Sequence, residues 1–353
     1  MTKILCVGDI HAMDKAPVNA TESYMDDIIE MLRWTIDYAA QNGIPVIVWA
    51  GDIFHHKSPS RTSHALVLRM IGVLQYAAKK GVEIWAVTGN HDISNDVLAS
   101  IKEKQPLGVL YQAGLRELSG WHPELPIFGV PWRQDWTTNE DSAWEAFELW
   151  RSARGHEGEV PDMTEPALAI THAPIYPPKD AENIQWDLVP TRGEKGISAA
   201  MGNEGFLYYG HIHEDHGVFV VEGVTYANMG AISRGSLHEY NLERQIKVAV
   251  WADIPDAAYR RAEKAGKPIP AGAFDAGFTE VVVPHKPASE VFKIADAEEK
   301  KAERLSLDEF LTEIGTTTLD ITSTGSAVEH IRSRKDVPPR VKKTAIEILE
   351  EIG

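Results

Sequence analysis

Short apolar runs alternate with stretches whose apolar residues recur every three to four positions through the first half of the chain. That alternation predicts strands interleaved with amphipathic helices, an α/β architecture. Residues 3–7 read as a buried strand ending at Gly8-Asp9. Over residues 25–40 the spacing places Met25, Ile28, Ile29, Leu32, Ile36 and Ala39 on one helical face, and Asn42-Gly43 supplies the C-terminal stop. Residues 45–50 form the next strand, ending at Gly51-Asp52. A second helix is predicted over 61–80, closed by Lys79-Lys80-Gly81 with basic residues at the negative end of its dipole. Strand 83–88 then leads into Gly89-Asn90-His91-Asp92.

Further strands are predicted at 126–130, 168–171 and 206–209, with an inserted amphipathic helix over 141–154 carrying Trp144, Phe147 and Trp150. From 218 to 251 the pattern turns β-rich, in runs at 218–221, 224–227 and 246–251. Beyond Trp251 the character changes. Residues 253–277 are rich in Ala, Gly and Pro and read as a connection, 279–283 and 290–294 are expected to pair as a small sheet, and 297–314 and 326–352 read as charged helices divided by Pro338-Pro339. The predicted division is a main domain over 1–252, a small cap or connection over 253–295, and a helical tail over 296–353.

The chain has 353 residues, enough for one large core and one or two smaller pieces. The single cysteine, Cys6, excludes an intramolecular disulfide and a cysteine-based zinc site, and its place in Ile4-Leu5-Cys6-Val7 reads as a small buried side chain. The N-terminus lacks the pattern of a signal peptide and no apolar run approaches ~20 residues, so a cytoplasmic protein without a membrane span is expected. The net charge of −17 counts against gripping nucleic acid by bulk electrostatics, although bound divalent cations can supply local positive charge.

The chemistry is concentrated in five short motifs that follow predicted strands: Asp9-Ile10-His11, Gly51-Asp52, Gly89-Asn90-His91-Asp92, Thr171-His172 and Gly210-His211-Ile212-His213. Each alone is a weak signal, and a lone histidine such as His172 is more often structural than a ligand. In an open α/β sheet, however, ligands gather at the carboxyl ends of strands, so residues far apart in sequence can meet at one edge. Asp9, His11, Asp52, Asn90, His172, His211 and His213 offer carboxylate, amide and imidazole donors with no thiolate. That mixture suits manganese, iron or zinc better than calcium, which takes oxygen ligands.

Together, in this order, the motifs resemble those of the calcineurin-like metallophosphoesterase superfamily over residues 1–235. The set is most similar to the nuclease subunit of the SbcCD double-strand-break repair complex and its phage relatives. The resemblance implies a two-sheet β-sandwich flanked by helices, with a small α+β cap and a helical C-terminal tail. It implies two divalent ions, manganese first, with iron, zinc or magnesium as alternatives. Asp9, His11, Asp52 and His213 would hold the first ion, and Asp52, Asn90, His172 and His211 the second, with Asp52 as the bridge. His91 corresponds to the non-ligand catalytic histidine, with Asp92 and Asp14 as candidates to orient it. Two such ions polarise the phosphate and activate a water, while the histidine steadies the developing charge or protonates the leaving alkoxide.

Gly51-Asp52-Ile53-Phe54-His55 is similar to a Gly-Asp-x-Phe-His pattern of the repair nucleases, in which the histidine helps position the nucleic-acid phosphate; His55 carries that role here by resemblance. Residues 226–234 resemble the segment after the last histidine motif, with Met229-Gly230-Ala231 where the family usually shows Pro-Gly-Ser, and they present Arg234 as a candidate DNA-phosphate contact. Lys57, Arg61 and Arg133 would join Arg234 in a local basic patch. Apolar stripes at 305–314 and 341–352 resemble a tail that docks onto a coiled-coil ATPase of the SbcC kind, and helices 25–40 and 61–80 could serve a homodimer or pack on the sheet. The short cap and tail lean toward the phage members, and the resemblance implies the cytoplasm of a bacterium or of a phage-infected bacterium. The expected function is therefore a DNA exo/endonuclease. A small-molecule phosphoesterase acting on a substrate such as a cyclic nucleotide is the alternative, and a non-catalytic adaptor scaffold a remote one.

Overall fold

The computed structural model describes residues 2–17, 20–93, 101–153, 166–181, 184, 187–235, 239–254, 263–264, 267, 277–294, 331–332, 342–343 and 346. The chain divides into two compact units, Met1–Val291 and Phe292–Gly353. The expected tail helices over 297–314 and 326–352, with the docking stripes at 305–314 and 341–352, lie outside the described residues apart from those few positions, as does nearly all of the 253–277 connection.

In the first unit two six-stranded mixed sheets face each other, with helices outside them. One sheet contains β1 (Lys3–Val7), β2 (Val46–Trp49), β3 (Glu83–Ala86), β4 (Arg116–Glu117), β11 (Lys247–Ala252) and β12 (Gly277–Val282), in the order β12-β11-β1-β2-β3-β4. The other contains β5 (Gly120–Trp121), β6 (Ile127–Val130), β7 (Leu168–His172), β8 (Gly205–Gly210), β9 (Asp215–Val221) and β10 (Val224–Met229), in the order β5-β6-β7-β8-β10-β9. β1 to β4 are parallel to one another, as are β6, β7, β8 and β10. Parallel strands covered on both faces become continuous apolar runs, and β1, β2 and β7 are buried along almost their whole length.

The core between the sheets takes alternate residues from each. Ile4, Cys6, Val46, Val48 and Trp251 come from the first sheet and meet Leu168, Ile170, Tyr208 and Ala227 from the second. The intervening residues of the second sheet, Ala169, Leu207, Tyr209 and Tyr226, turn the other way into an outer cluster with Trp136, Phe147 and Trp150. The inserted segment expected as one helix is two short ones, Ser142–Ala146 and Glu148–Ala153, which sink Phe147 and Trp150 into that cluster while Trp144 stays 43% exposed. On the first sheet, α1 (Tyr24–Gln41) buries Ile28, Leu32, Ile36 and Ala39, and α2 (His64–Lys79) packs beside it. α2 starts on Ser63, whose hydroxyl accepts the Leu66 N–H at 3.1 Å.

The expected small sheet of 279–283 with 290–294 does not form. β12 pairs antiparallel with β11 from Lys247↔Val282 to Ala252↔Gly277 and completes the edge of the first sheet, while Ala288–Val291 is helical. The free ladder of β11 is a longer partner for β12 than a short local hairpin offers. Among the described residues no helix is long and apolar enough to cross a membrane.

Candidate metal centre

Five strands end at one rim of the sandwich, and each hands a motif to it: β1 to Asp9 and His11, β2 to Asp52, β3 to Asn90 and His91, β7 to His172, and β8 to His211 and His213. Past the strand ends the first two loops stay zipped together, with the His11 N–H on the Asp52 carbonyl at 2.8 Å, Ala12 N–H on Ile53 O at 2.9 Å and His55 N–H on Ala12 O at 3.0 Å. His11, Asp52 and His211 sit at φ 48°, 49° and 87°. Left-handed backbone at a non-glycine residue costs about 1–3 kcal/mol and concentrates at functional sites. Three of the seven candidate ligands carry it.

The motif glycines have a steric reason. A Cβ on Gly51 would lie 2.3 Å from His172 Nδ1, one on Gly89 2.2 Å from Asp52 Oδ1, and one on Gly210 2.3 Å from the Ala50 carbonyl and 2.8 Å from Asp9 Oδ1. Each glycine lets a loop carrying one ligand approach another ligand or its strand.

Asp52 is central. Its Oδ2 lies 3.5 Å from His11 Nε2 and 3.4 Å from His172 Nε2, and its Oδ1 accepts the His91 N–H at 2.8 Å. On one side His11 Nε2 and His213 Nε2 are 2.9 Å apart, with His213 Nε2 3.9 Å from Asp9 Oδ2. On the other, Asn90 Oδ1 lies 2.9 Å from His172 Nε2 and 3.0 Å from His211 Nδ1. The two groups share Asp52, and His172 Nδ1 also lies 3.4 Å from Asp9 Oδ1, which ties the two sides together. Asp9, His172 and Asp52 are 0%, 0% and 2% exposed, whereas His213 lies on the open side. Donor atoms of Asp9, Asp52 and His172 lie within 4.8 Å of one another, as do those of His11, His55 and His91.

The protonation pattern of these side chains fits a place for cations. Burial pushes the Asp9 carboxyl up to about 7, and Asp52 beside it adds to the push against the pull of His172. Burial also works to raise Asp52, but His172, His11 and His91 more than offset it and hold that carboxyl below its usual range. Burial disfavours charge on His172, yet Asp52 and Asp9 reverse the balance and raise it to about 9. The charge on His172 thus balances the two buried carboxylates. Burial keeps His211 at about 3, His213 at about 4 and His11 well below its ordinary value, so those imidazoles are neutral with lone pairs to give. The His172 Nδ1–H donates to the Ala50 carbonyl at 2.8 Å, which leaves Nε2 as the ligand nitrogen. Carboxylate, amide and neutral imidazole donors gathered this closely could hold divalent cations.

His91 lies beside this set, its ring 4.9 Å from His11 and 5.4 Å from His55. Neither candidate carboxylate orients it. Asp92 accepts the N–H groups of Ile53, Phe54 and Gly89 at 3.0–3.3 Å and locks the second motif loop to the third. Asp14 accepts the backbone N–H and the hydroxyl of Ser63. The partner of His91 Nδ1 is the His55 carbonyl at 2.7 Å, so the His55 backbone positions the His91 ring. Side-chain logic could not find a backbone acceptor from another loop.

The expected basic patch is largely absent. Arg234 is 3% exposed, with Nη2 donating to Asp27 Oδ2 at 3.0 Å and to the Lys286 carbonyl at 2.9 Å. It is a buried tie between α1 and the loops after β10 and β12, which corrects its expected role at a DNA phosphate. Arg133 forks onto Asp135 at 2.8–2.9 Å and reaches Glu145 at 2.7 Å. Lys57 and Arg61 remain exposed. Sequence reasoning also passed over Trp132, whose ring lies 4.9 Å from His211 and 5.9 Å from His172. Its signal was available, because Pro131-Trp132 follows strand 126–130 at the same rim as the other motifs.

The calcineurin-like phosphoesterase family profile matches residues 2–215. No curated protein matches the sequence. Among solved structures the chain is similar to TT1561 of Thermus thermophilus, with 10% identity, TM-score 0.40, and coverage of 80% of this chain and 99% of that one. It is also similar to a dimetal phosphatase from Danio rerio, with 11% identity, TM-score 0.42, and the same 80% and 99% coverage. Because the family match runs through every strand that delivers a candidate metal ligand, the chain belongs to the calcineurin-like phosphoesterase family of metal-dependent hydrolases.

Proposed function

We propose that this chain is a phosphodiesterase acting on DNA, a nuclease subunit that works with a coiled-coil ATPase of the SbcC kind. The observation that carries the reading is His55. It is not among the seven candidate ligands, yet its ring sits 5.4 Å from both His11 and His91 on the accessible side of the site. A second imidazole beside the catalytic one suits an extended diester, whose flanking phosphate needs a contact beyond the scissile group.

When bound, two divalent cations supply charge neutralisation at the phosphoryl oxygens and acidify a water, with manganese the first choice for this mixed donor set. The protein does the rest. Asp52 and Asp9 hold the charge balance, the neutral histidines give their lone pairs, and Asn90 adds an amide oxygen. His91, held at Nδ1 by the His55 carbonyl, offers Nε2 to the departing alkoxide or the phosphoryl charge. The rigid backbone clamp from Asp92 keeps these loops from drifting as substrate arrives.

Metal-dependent shortening of linear duplex or single-stranded DNA from its ends, with manganese and with or without the candidate ATPase, is the expected result. Replacing His55 with Ala is expected to reduce DNA shortening more than hydrolysis of a chromogenic phosphodiester. The small-molecule reading is favoured by one observation, the capture of Arg133 and Arg234 by acidic partners in a chain of net charge −17. It prevails if linear DNA survives in every arm while a cyclic nucleotide is opened.

A further inference from the structure

We infer that Trp132 is a stacking platform for a nucleobase of the substrate, a specificity-determining residue at the second cation position; this deepens the phosphodiesterase reading of the same site and rests on it. Trp132 follows β6 by two residues, at the rim where β7 and β8 deliver His172 and His211. Its backbone N–H donates to the Thr88 carbonyl at 2.8 Å, directly before Gly89-Asn90. The indole is thereby tied to the first sheet through its backbone and packed by its ring against the outer core of the second. Its ring is tilted 31° against His211 at 4.9 Å and meets His172 edge-on at 5.9 Å. It remains partly exposed.

Two features separate it from a simple prop. Among the described residues, every other ring packed on the site's histidines is itself a histidine, so Trp132 is the one large apolar aromatic in a polar mouth. It also stands across the site from His55 and His91, which gather around His11, whereas Trp132 gathers with His211 and His172. A diester centred between them has a phosphate-positioning imidazole on one side and a weakly hydrated π-face on the other. With Arg133 and Arg234 occupied, affinity for a nucleotide must come from the cations and from stacking. Stacking is tolerant of base identity and is lost on truncation of the aromatic.

The test separates base from phosphate. Manganese-loaded protein is titrated calorimetrically with deoxyadenosine monophosphate and with inorganic phosphate, for the wild type and for Trp132→Ala, Trp132→Leu and Trp132→Phe. The expected result is a roughly tenfold weakening of nucleotide binding in the Ala and Leu variants, retention in Phe, and phosphate affinity unchanged in all of them. The same split is expected in kcat/KM between the p-nitrophenyl ester of thymidine monophosphate and ethyl p-nitrophenyl phosphate. Equal losses for both ligands, or a fall in bound manganese, would make Trp132 a support for His211 and overturn the inference. Wild-type protein that binds the nucleotide but hydrolyses neither ester would sink the phosphodiesterase reading and leave the stacking result standing by its own measurement.

Discussion

Asp27 and Arg234 show how little exposure leaves to choice. Both are 3% exposed and joined at 3.0 Å, and Asp27 also accepts the Lys286 N–H at 3.2 Å. Removing one partner of a buried pair leaves an uncompensated charge, so Arg234→Ala is expected to lower stability by about 3–5 kcal/mol in denaturant unfolding. At a temperature where the variant stays folded, KM for DNA should be unchanged; a raised KM with normal stability would restore the phosphate-contact role. His91 is the opposite case, since its tie to Asp52 runs through its backbone N–H and survives loss of the ring. His91→Ala should keep bound metal at the wild-type level and lower kcat by roughly 10²–10⁴-fold. The titration of the site gives a third outcome. With His172 at about 9 and Asp9 at about 7, metal-free protein carries protons near pH 7 that cations must displace. Metal binding should therefore release protons and tighten as pH rises from 6 toward 9, read by calorimetry in buffers of different ionisation enthalpy. An uptake of protons, or no exchange, would contradict the placement of the cations on these two groups.

Between elements, the site depends on how closely two strand ends can approach across the sandwich. Gly210 ends β8 and faces the carbonyl of Ala50, just past the end of β2, at 2.3 Å from where a Cβ would stand, so one methyl group tests the junction. Gly210→Ala is expected to lower stability by about 1–3 kcal/mol and metal affinity roughly tenfold or more, because it pushes His211 away from Asp9. Gly51 adds a left-handed φ of 101° to the same crowding, so Ala there combines two penalties and should be the worse variant. Ligand-bearing loops at left-handed φ belong to the same arrangement: strain at His11, Asp52 and His211 is held by the zipped loops and by the Asp92 clamp. Thermal scans with and without metal separate the two effects.

For the first unit as a body, cation binding to the folded state alone should raise the thermal midpoint. At about a hundredfold excess over Kd the gain is about 2.7 kcal/mol, which corresponds to about 5 °C for a domain of this class, and a chelator should reverse it. The charge of −17 sets a second expectation: without cations the chain should bind duplex DNA weakly at physiological salt, and the binding that manganese confers should fall as salt rises. Tight, metal-independent binding in a gel-shift assay would count against a nuclease that borrows its grip from cations and an ATPase.

Much of this was legible in the order of residues. The long apolar runs at 3–7, 45–50 and 168–171 are strands because a parallel strand buried on both faces has no polar position to spare, and the helix over 24–41 follows from its spacing. The candidate donors stood out only as a set, because five weak motifs each follow an apolar run and strand ends of an α/β sheet share one edge. What the linear pattern does not hold is which loop faces which. The pairing of β12 with β11, the His55 carbonyl behind His91, the capture of Arg234 by Asp27 and the indole of Trp132 against His211 all join residues from separate segments. Periodicity is a property of one segment at a time, so contacts across the sandwich arise only once both sheets have closed on each other.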